Sequence, residues 1–187
     1  KTHGPASVID YLGDGYGGLK GRIQSIFFNA FGGASRPEGS LCWGAGIQAQ
    51  KYDFGSVRGH APDDVLNAGL VIVWGRNPKI TNLHLYTRLK QARKNGTRII
   101  VIDPIRTATA ESFSDYIRIR PGTDGALALA MIRFIVENDL ADQAFIDNHV
   151  VGFNRFKQTL SPYSLDHTEK ITGVKASEIK QLAMAYA

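Results

Sequence analysis

Three short clusters hold the residues best suited to chemistry: Gly75, Arg76, Asn77 and Pro78; Asp103, Pro104, Arg106 and Thr107; Gly122, Thr123 and Asp124. A glycine allows close backbone approach, and a proline suits the first turn of a helix. Gly75 to Pro78 would therefore turn a helix amino terminus toward a ligand, where free N–H groups bind phosphate. An acidic residue after the second strand of a dinucleotide fold, the place of Asp103, accepts hydrogen bonds from a ribose or base. The Asp124 carboxylate can accept two N–H donors from a guanine edge. Each cluster also has a plainer explanation. Asp103 suits an Asx-turn that satisfies its own backbone, Arg106 a solvated charge, Thr123 a helix cap and Asp124 the first turn of a helix dipole.

Positioning these clusters requires three strands. Each cluster ends an apolar run: Leu70 to Trp74, Thr97 to Ile102, and Ser114 to Arg120. Short runs rich in β-branched residues, separated by helix-length segments, predict parallel strands whose carboxyl ends share one sheet edge. Asn82 to Lys94 has helical spacing, with Leu85, Leu89 and Ala92 inward and Gly96 closing it. Gly125 to Val136 is apolar on nearly every side and is expected to be a central, buried helix. Upstream, the pattern predicts a strand at Ser7 to Leu12, a glycine-rich loop at Gly13 to Gly18, a helix at Leu19 to Phe31 stopped by Gly32 and Gly33, and a short helix at Ala61 to Gly69. Downstream, DQAFIDNH, FNRFKQTL and ASEIKQLAMAYA predict further helices. The expected fold is α/β: a Rossmann-like parallel sheet flanked by helices, with a helical C-terminal part. We read residues 1–187 as a single α/β fragment, with 1–60 carrying the first strand, the loop and Cys42, 61–150 the dinucleotide-binding unit, and 151–187 the helical segment.

The 187 residues suffice for one well-buried core. Hydrophobic residues at 43% and charged residues at 21% exclude a disordered tail. No apolar run reaches membrane-helix length, so direct membrane insertion is not expected. Lys plus Arg number 22 against 17 Asp plus Glu, and the resulting charge of +5 suits an anionic ligand or a solvated basic face. No nucleic-acid partner is expected. His149 and His167 lack a partner at metal-ligand spacing and read as structural or surface residues.

Cys42 is the single cysteine, so no internal disulfide is possible. Ser40 could cap a short helix and set the thiol at the positive end of its dipole, where a thiolate is favoured. The alternative is a small buried hydrophobe.

WGRNP, followed by QARKNGTRIIVIDPIRTATAESFSDYIRIRPGTDGALALAMIRFIVENDLAD, resembles the molybdopterin oxidoreductase family of the dimethyl sulfoxide reductase type. The likeness runs from about Ser7 to the end, and its specificity comes from three separated motifs in order. Such enzymes hold molybdenum, or tungsten, between two pyranopterin guanine dinucleotides. The resemblance implies that Gly75 and Asn77, flanked by Trp74 and Pro78, meet the cofactor phosphates. It implies that Asp103, Pro104, Arg106 and Thr107 lie around ribose and guanine, and that Gly122, Thr123 and Asp124 form the third motif, with Asp124 the guanine reader. Cys42 stands at a compatible distance upstream of Gly75 for the catalytic metal ligand, with Ser40 the runner-up. A soft thiolate suits a metal that cycles by two electrons.

Family members are commonly several times longer, and many carry an iron–sulfur centre on an N-terminal cysteine cluster and a further C-terminal domain. The chain is accordingly expected to be a fragment of a catalytic subunit, inactive alone. The expected partners are a small-molecule substrate, an iron–sulfur electron-transfer subunit and, through the parent protein, a membrane-anchor subunit. Relatives of this branch are often exported, folded, through a twin-arginine signal to the periplasm or cell surface. The context GSLCWGAG points to a sulfoxide or sulfur-compound reductase of anaerobic respiration. Two other classes stay open: a nicotinamide-dependent dehydrogenase, although the glycine fingerprint after Leu70 to Trp74 is incomplete, and a non-catalytic nucleotide-binding module.

Overall fold

The computed structural model describes residues 2–11 and 18–187. The chain forms two compact units, Lys1–His60 and Ala61–Ala187.

In the first unit, Leu19–Phe31 forms helix α1, and Gly32 ends it in the left-handed conformation at φ 104°. Helix α2 spans Gly44–Phe54 and stops at Gly55. The strand expected at Ser7 to Leu12 does not form among the described residues. Pro5–Ser7 make a 3-10 turn, and Ile9 makes one isolated parallel bridge with Ser35. The reason is local: Pro5 favours a helical turn, and Ile9 remains 67% exposed, without the packed face that sustains a strand. Asp10 is buried and accepts from Arg36 Nε at 3.0 Å and from Gln24 Nε2. Of the expected glycine-rich loop, positions 13–17 lie outside the described residues.

The second unit carries the sheet. Strands β1 (Leu70–Trp74), β2 (Arg98–Asp103) and β3 (Asp115–Arg118) run parallel in that order. Trp74 pairs with Ile102, and Asp103 with Arg118, so the three carboxyl ends share one edge. Alternation along β2 sorts the core into two layers. Ile99 and Val101 face Leu89, Ala110 and Phe113; Ile100 and Ile102 face Leu127, Ala130, Ile179 and Leu182. The first layer is made by helices α4 (Leu83–Lys94) and α5 (Ala108–Ser112), which follow the short helix α3 (Pro78–Thr81). Helices α6 (Asp124–Glu137), α9 (Leu165–Thr172) and α10 (Ala176–Tyr186) lie against one another on the second.

Between them in the chain lie α7 (Gln143–His149) and α8 (Phe153–Gln158). Residues after 150 thus complete the core of this unit. A 3-10 turn at Pro62–Asn67 replaces the short helix expected at Ala61 to Gly69 and packs on α4. Helix α6 buries Leu127, Ala130 and Met131, while Arg133 pairs with Glu137 at 2.7 Å on a more open side, so it is central but not enclosed all round. Helix α9 carries few apolar residues in sequence, because two of its core positions are Thr168 and Thr172, both fully buried. Thr172 hides its polarity by donating to the Thr168 carbonyl at 2.8 Å.

No helix among the described residues is long and apolar enough to cross a membrane. His149 lies on the surface against Phe145, with ring centroids 4.9 Å apart, and His167 is exposed.

Candidate functional site

The carboxyl edge of the sheet gathers the three clusters. At the end of β1, Gly75 has φ 60° and donates its N–H to the Ile102 carbonyl at 2.8 Å, extending the ladder by one residue. Nothing lies within 4 Å of where a Cβ would stand, so its backbone is open to a ligand. Arg76 is exposed. Pro78 takes the first position of α3 and is buried, as its fixed φ favours. The Asn77 carbonyl accepts from the N–H groups of Ile80 and Thr81, each at 3.0 Å. Its side-chain Oδ1 accepts from Thr109 of α5. One loop thereby ties the end of β1 to the turn after β2.

At the end of β2, Asp103 is 8% exposed, and its Oδ1 accepts the Ile105 N–H at 3.0 Å. This is an Asx-turn, as the plainer reading of Asp103 anticipates. It occupies one carboxylate oxygen, while Oδ2 has no hydrogen-bond partner among the described residues. The Tyr116 hydroxyl donates to the Asp103 carbonyl at 3.0 Å, and the Arg106 guanidinium lies 5.9 Å from the centre of the Tyr116 ring. The exposed Arg106 side chain thus lies near an aromatic face while its charge stays open to solvent. Thr107 caps α5, its hydroxyl accepting the Ala110 N–H at 3.2 Å. Pro104 presents its carbonyl to Arg118 Nε at 3.3 Å, which joins the ends of β2 and β3.

Beyond β3, Gly122 turns the chain at φ 77°, again with open space where a Cβ would be. Thr123 occupies the cap position of α6 without capping it. Its backbone, at φ −113° and ψ 12°, departs from the extended conformation that aims a cap hydroxyl at the first turn, and the hydroxyl instead donates to the Arg120 carbonyl at 2.7 Å. Asp124 opens α6, and its Oδ1 accepts the Trp74 indole N–H at 2.7 Å. A groove of ≈ 490 Å³ opens beside these turns, lined by Pro104, Ile105, Arg118, Arg120, Pro121 and Gly173 among others. Its two arginines complement an anion. In sequence the alternation of YIRIR marks Arg118 and Arg120 only as the polar side of a strand. Thr109 too escapes a sequence reading, since a threonine in TATAES looks like helix surface.

Cys42 belongs to the first unit and is exposed. The helix expected to begin after Ser40 begins at Gly44, so Cys42 sits in the preceding turn. There its N–H donates to Ser40 Oγ at 3.1 Å. Ser40 thus orders the turn that bears the thiol, and α2 has no side-chain cap. Among the described residues, no three His, Cys, Asp or Glu side chains are grouped to hold a metal. From this chain Cys42 would act as a single ligand.

The strand-end residues fit a dinucleotide. Two glycines leave the backbone open, a carboxamide NH2 and two guanidiniums offer donors, and carboxylate oxygens of Asp103 and Asp124 offer acceptors.

The sequence model of the molybdopterin oxidoreductase family matches residues 21–179. A probable oxidoreductase of Bacillus subtilis, YyaE, is 44% identical over 170 residues, covering 91% of this chain and 26% of that protein. Formate dehydrogenase H of Escherichia coli is 36% identical over 128 residues, 68% of this chain and 18% of the enzyme. The solved structure of acetylene hydratase from Pelobacter acetylenicus superposes with a TM-score of 0.69 at 31% identity, over 83% of this chain and 21% of that one. The chain spans about a quarter of the length of YyaE and of YoaE, a second probable oxidoreductase of Bacillus subtilis. Its motifs, its parallel sheet and these likenesses agree: the chain belongs to the molybdopterin oxidoreductase family.

Proposed function

We propose that this chain is the part of a molybdopterin oxidoreductase catalytic subunit that grips one pyranopterin guanine dinucleotide of a molybdenum or tungsten bis(dinucleotide) centre. The observation that carries this reading is the convergence of Gly75 and Asn77, Asp103 to Thr107, and Gly122 to Asp124 on one edge of a parallel sheet. In this reading the Asn77 NH2 and the backbone at Gly75 and Gly122 take phosphate oxygens. Asp103 and Arg106, with Pro104 and Thr107 shaping their turn, border the ribose and base. Asp124, held by Trp74, reads guanine. Cys42 supplies the protein ligand to the metal. Bound there, the centre would supply two-electron oxygen-atom, sulfur or hydride chemistry, and the protein its orientation and electrostatics.

The substrate we favour is a sulfoxide or another sulfur compound, reduced in anaerobic respiration, on the strength of the GSLCWGAG context of Cys42. A probable dimethyl sulfoxide reductase chain of E. coli, YnfF, is 34% identical over 162 residues, which is compatible. Formate oxidation is the second reading, favoured by the 36% identity to formate dehydrogenase H. Electrons would pass through an iron–sulfur cluster elsewhere in the parent protein and an iron–sulfur partner subunit.

The test uses the full-length enzyme, assayed for metal content and for turnover of dimethyl sulfoxide and of formate with artificial electron donors or acceptors. Stoichiometric molybdenum or tungsten with sulfoxide reduction is expected, and replacement of Cys42 by Ala should abolish turnover. A metal-free enzyme, or full activity of Cys42→Ala, would refute the assignment. Formate turnover alone would select the second substrate.

A further inference from the structure

The side-chain amide of Asn77 has one direction only, and the residue that sets it is Thr109. Thr109 is fully buried in the first turn of α5. Its backbone N–H and its hydroxyl both reach Asn77 Oδ1, at 3.2 and 2.8 Å. The same hydroxyl oxygen accepts the Lys79 N–H at 3.1 Å, so its own proton is directed to Asn77. A backbone N–H can only donate. A reversed carboxamide would therefore set its NH2 against that donor and leave it unpaired in a buried place. The Asn77 oxygen is thus occupied by two donors, while the NH2 group of this half-buried residue makes no hydrogen bond among the described residues.

We propose that Thr109 is a positioning residue of this site: by binding the Asn77 oxygen it presents the carboxamide as a pure donor, so position 77 accepts an anionic oxygen and rejects a ligand donor. Thr109 acts through Asn77 and does not touch the ligand. The inference rests on the dinucleotide reading above, with the phosphate oxygen as the group accepted.

The test measures guanine nucleotide released by acid from the full-length enzyme, per polypeptide, alongside its thermal midpoint. Nucleotide in the wild type tests the dinucleotide reading itself, and its absence there would sink that reading before Thr109 is at issue. Given nucleotide in the wild type, Thr109→Val, which leaves only the backbone N–H on the Asn77 oxygen and leaves the Lys79 N–H unpaired, should loosen the carboxamide and lower retention severalfold. Thr109→Ser should restore it. Asn77→Asp keeps an oxygen facing Thr109 but exchanges the NH2 for an oxygen; it should hold the wild-type midpoint and lose the nucleotide. In an Asn77→Ala background, Thr109→Val should cause no further loss. Full retention in Thr109→Val or in Asn77→Asp would overturn the proposal, as would an additional loss in the double variant. If Thr109→Val does not fold, Asn77→Asp and Thr109→Ser still decide.

Discussion

The indole N–H of Trp74, the last residue of β1, donates to Oδ1 of Asp124, the first residue of α6, at 2.7 Å. Fifty residues of chain separate the two. The bond fixes a helix start against the end of the outer strand and turns one carboxylate oxygen away from solvent rotation. Trp74→Phe keeps an aromatic ring against the core and removes the donor. It should cost about 1 kcal/mol in urea unfolding, the ordinary worth of one hydrogen bond at a partly open site. Asp124→Asn in the full-length enzyme should keep the Trp74 bond and fold, yet release guanine nucleotide, because one acceptor oxygen becomes a donor.

The turn after β2 depends on Thr107. Its hydroxyl accepts the Ala110 N–H at 3.2 Å in a nearly closed environment. Thr107→Ala should lose about 1 kcal/mol, as loss of a helix cap does, and Thr107→Ser should recover most of it. Equal stability of all three in chemical denaturation would show that the cap is idle.

Gly75 adopts φ 60° with open space around it. Gly75→Ala should therefore cost roughly 1–2 kcal/mol through backbone strain, without a steric clash. Gly75→Asn should cost less, because asparagine tolerates this conformation. A crystal structure of Gly75→Ala showing shifted neighbours would contradict the strain account.

Leu127 of α6 is fully buried against the β2 face. Leu127→Ala should destabilise the chain by about 2–5 kcal/mol in denaturant titration, the range for a core leucine that leaves a cavity. A loss under about 1 kcal/mol would mean that α6 is less central than its packing indicates.

Much of the second unit is legible in sequence, because its signals are strong where burial is strong. LVIVW and the IIVI that follows Arg98 are apolar runs, the first partly and the second fully buried, and both become strands of the sheet. The three clusters are visible because strand ends and helix starts demand glycine, proline and short polar side chains. What escapes is whatever depends on a partner remote in sequence. Thr109 looks like surface until Asn77 is placed beside it, and α9 is hidden by its two core threonines, of which Thr172 donates to the Thr168 carbonyl while the Thr168 hydroxyl has no hydrogen-bond partner among the described residues. Ser40 and Thr123 both look like caps, yet Ser40 bonds the Cys42 N–H ahead of the helix and Thr123 bonds backward to Arg120. The Ser7 to Leu12 pattern fails because alternation alone does not supply a packed face.

The central claim is that the carboxyl edge of this sheet holds a guanine dinucleotide, and the identity of the nucleotide bound by the purified full-length enzyme tests it most directly. Acid release followed by chromatography should yield GMP, at two equivalents for each molybdenum or tungsten atom. Release of AMP, as from a nicotinamide dinucleotide, or of no nucleotide, would contradict it.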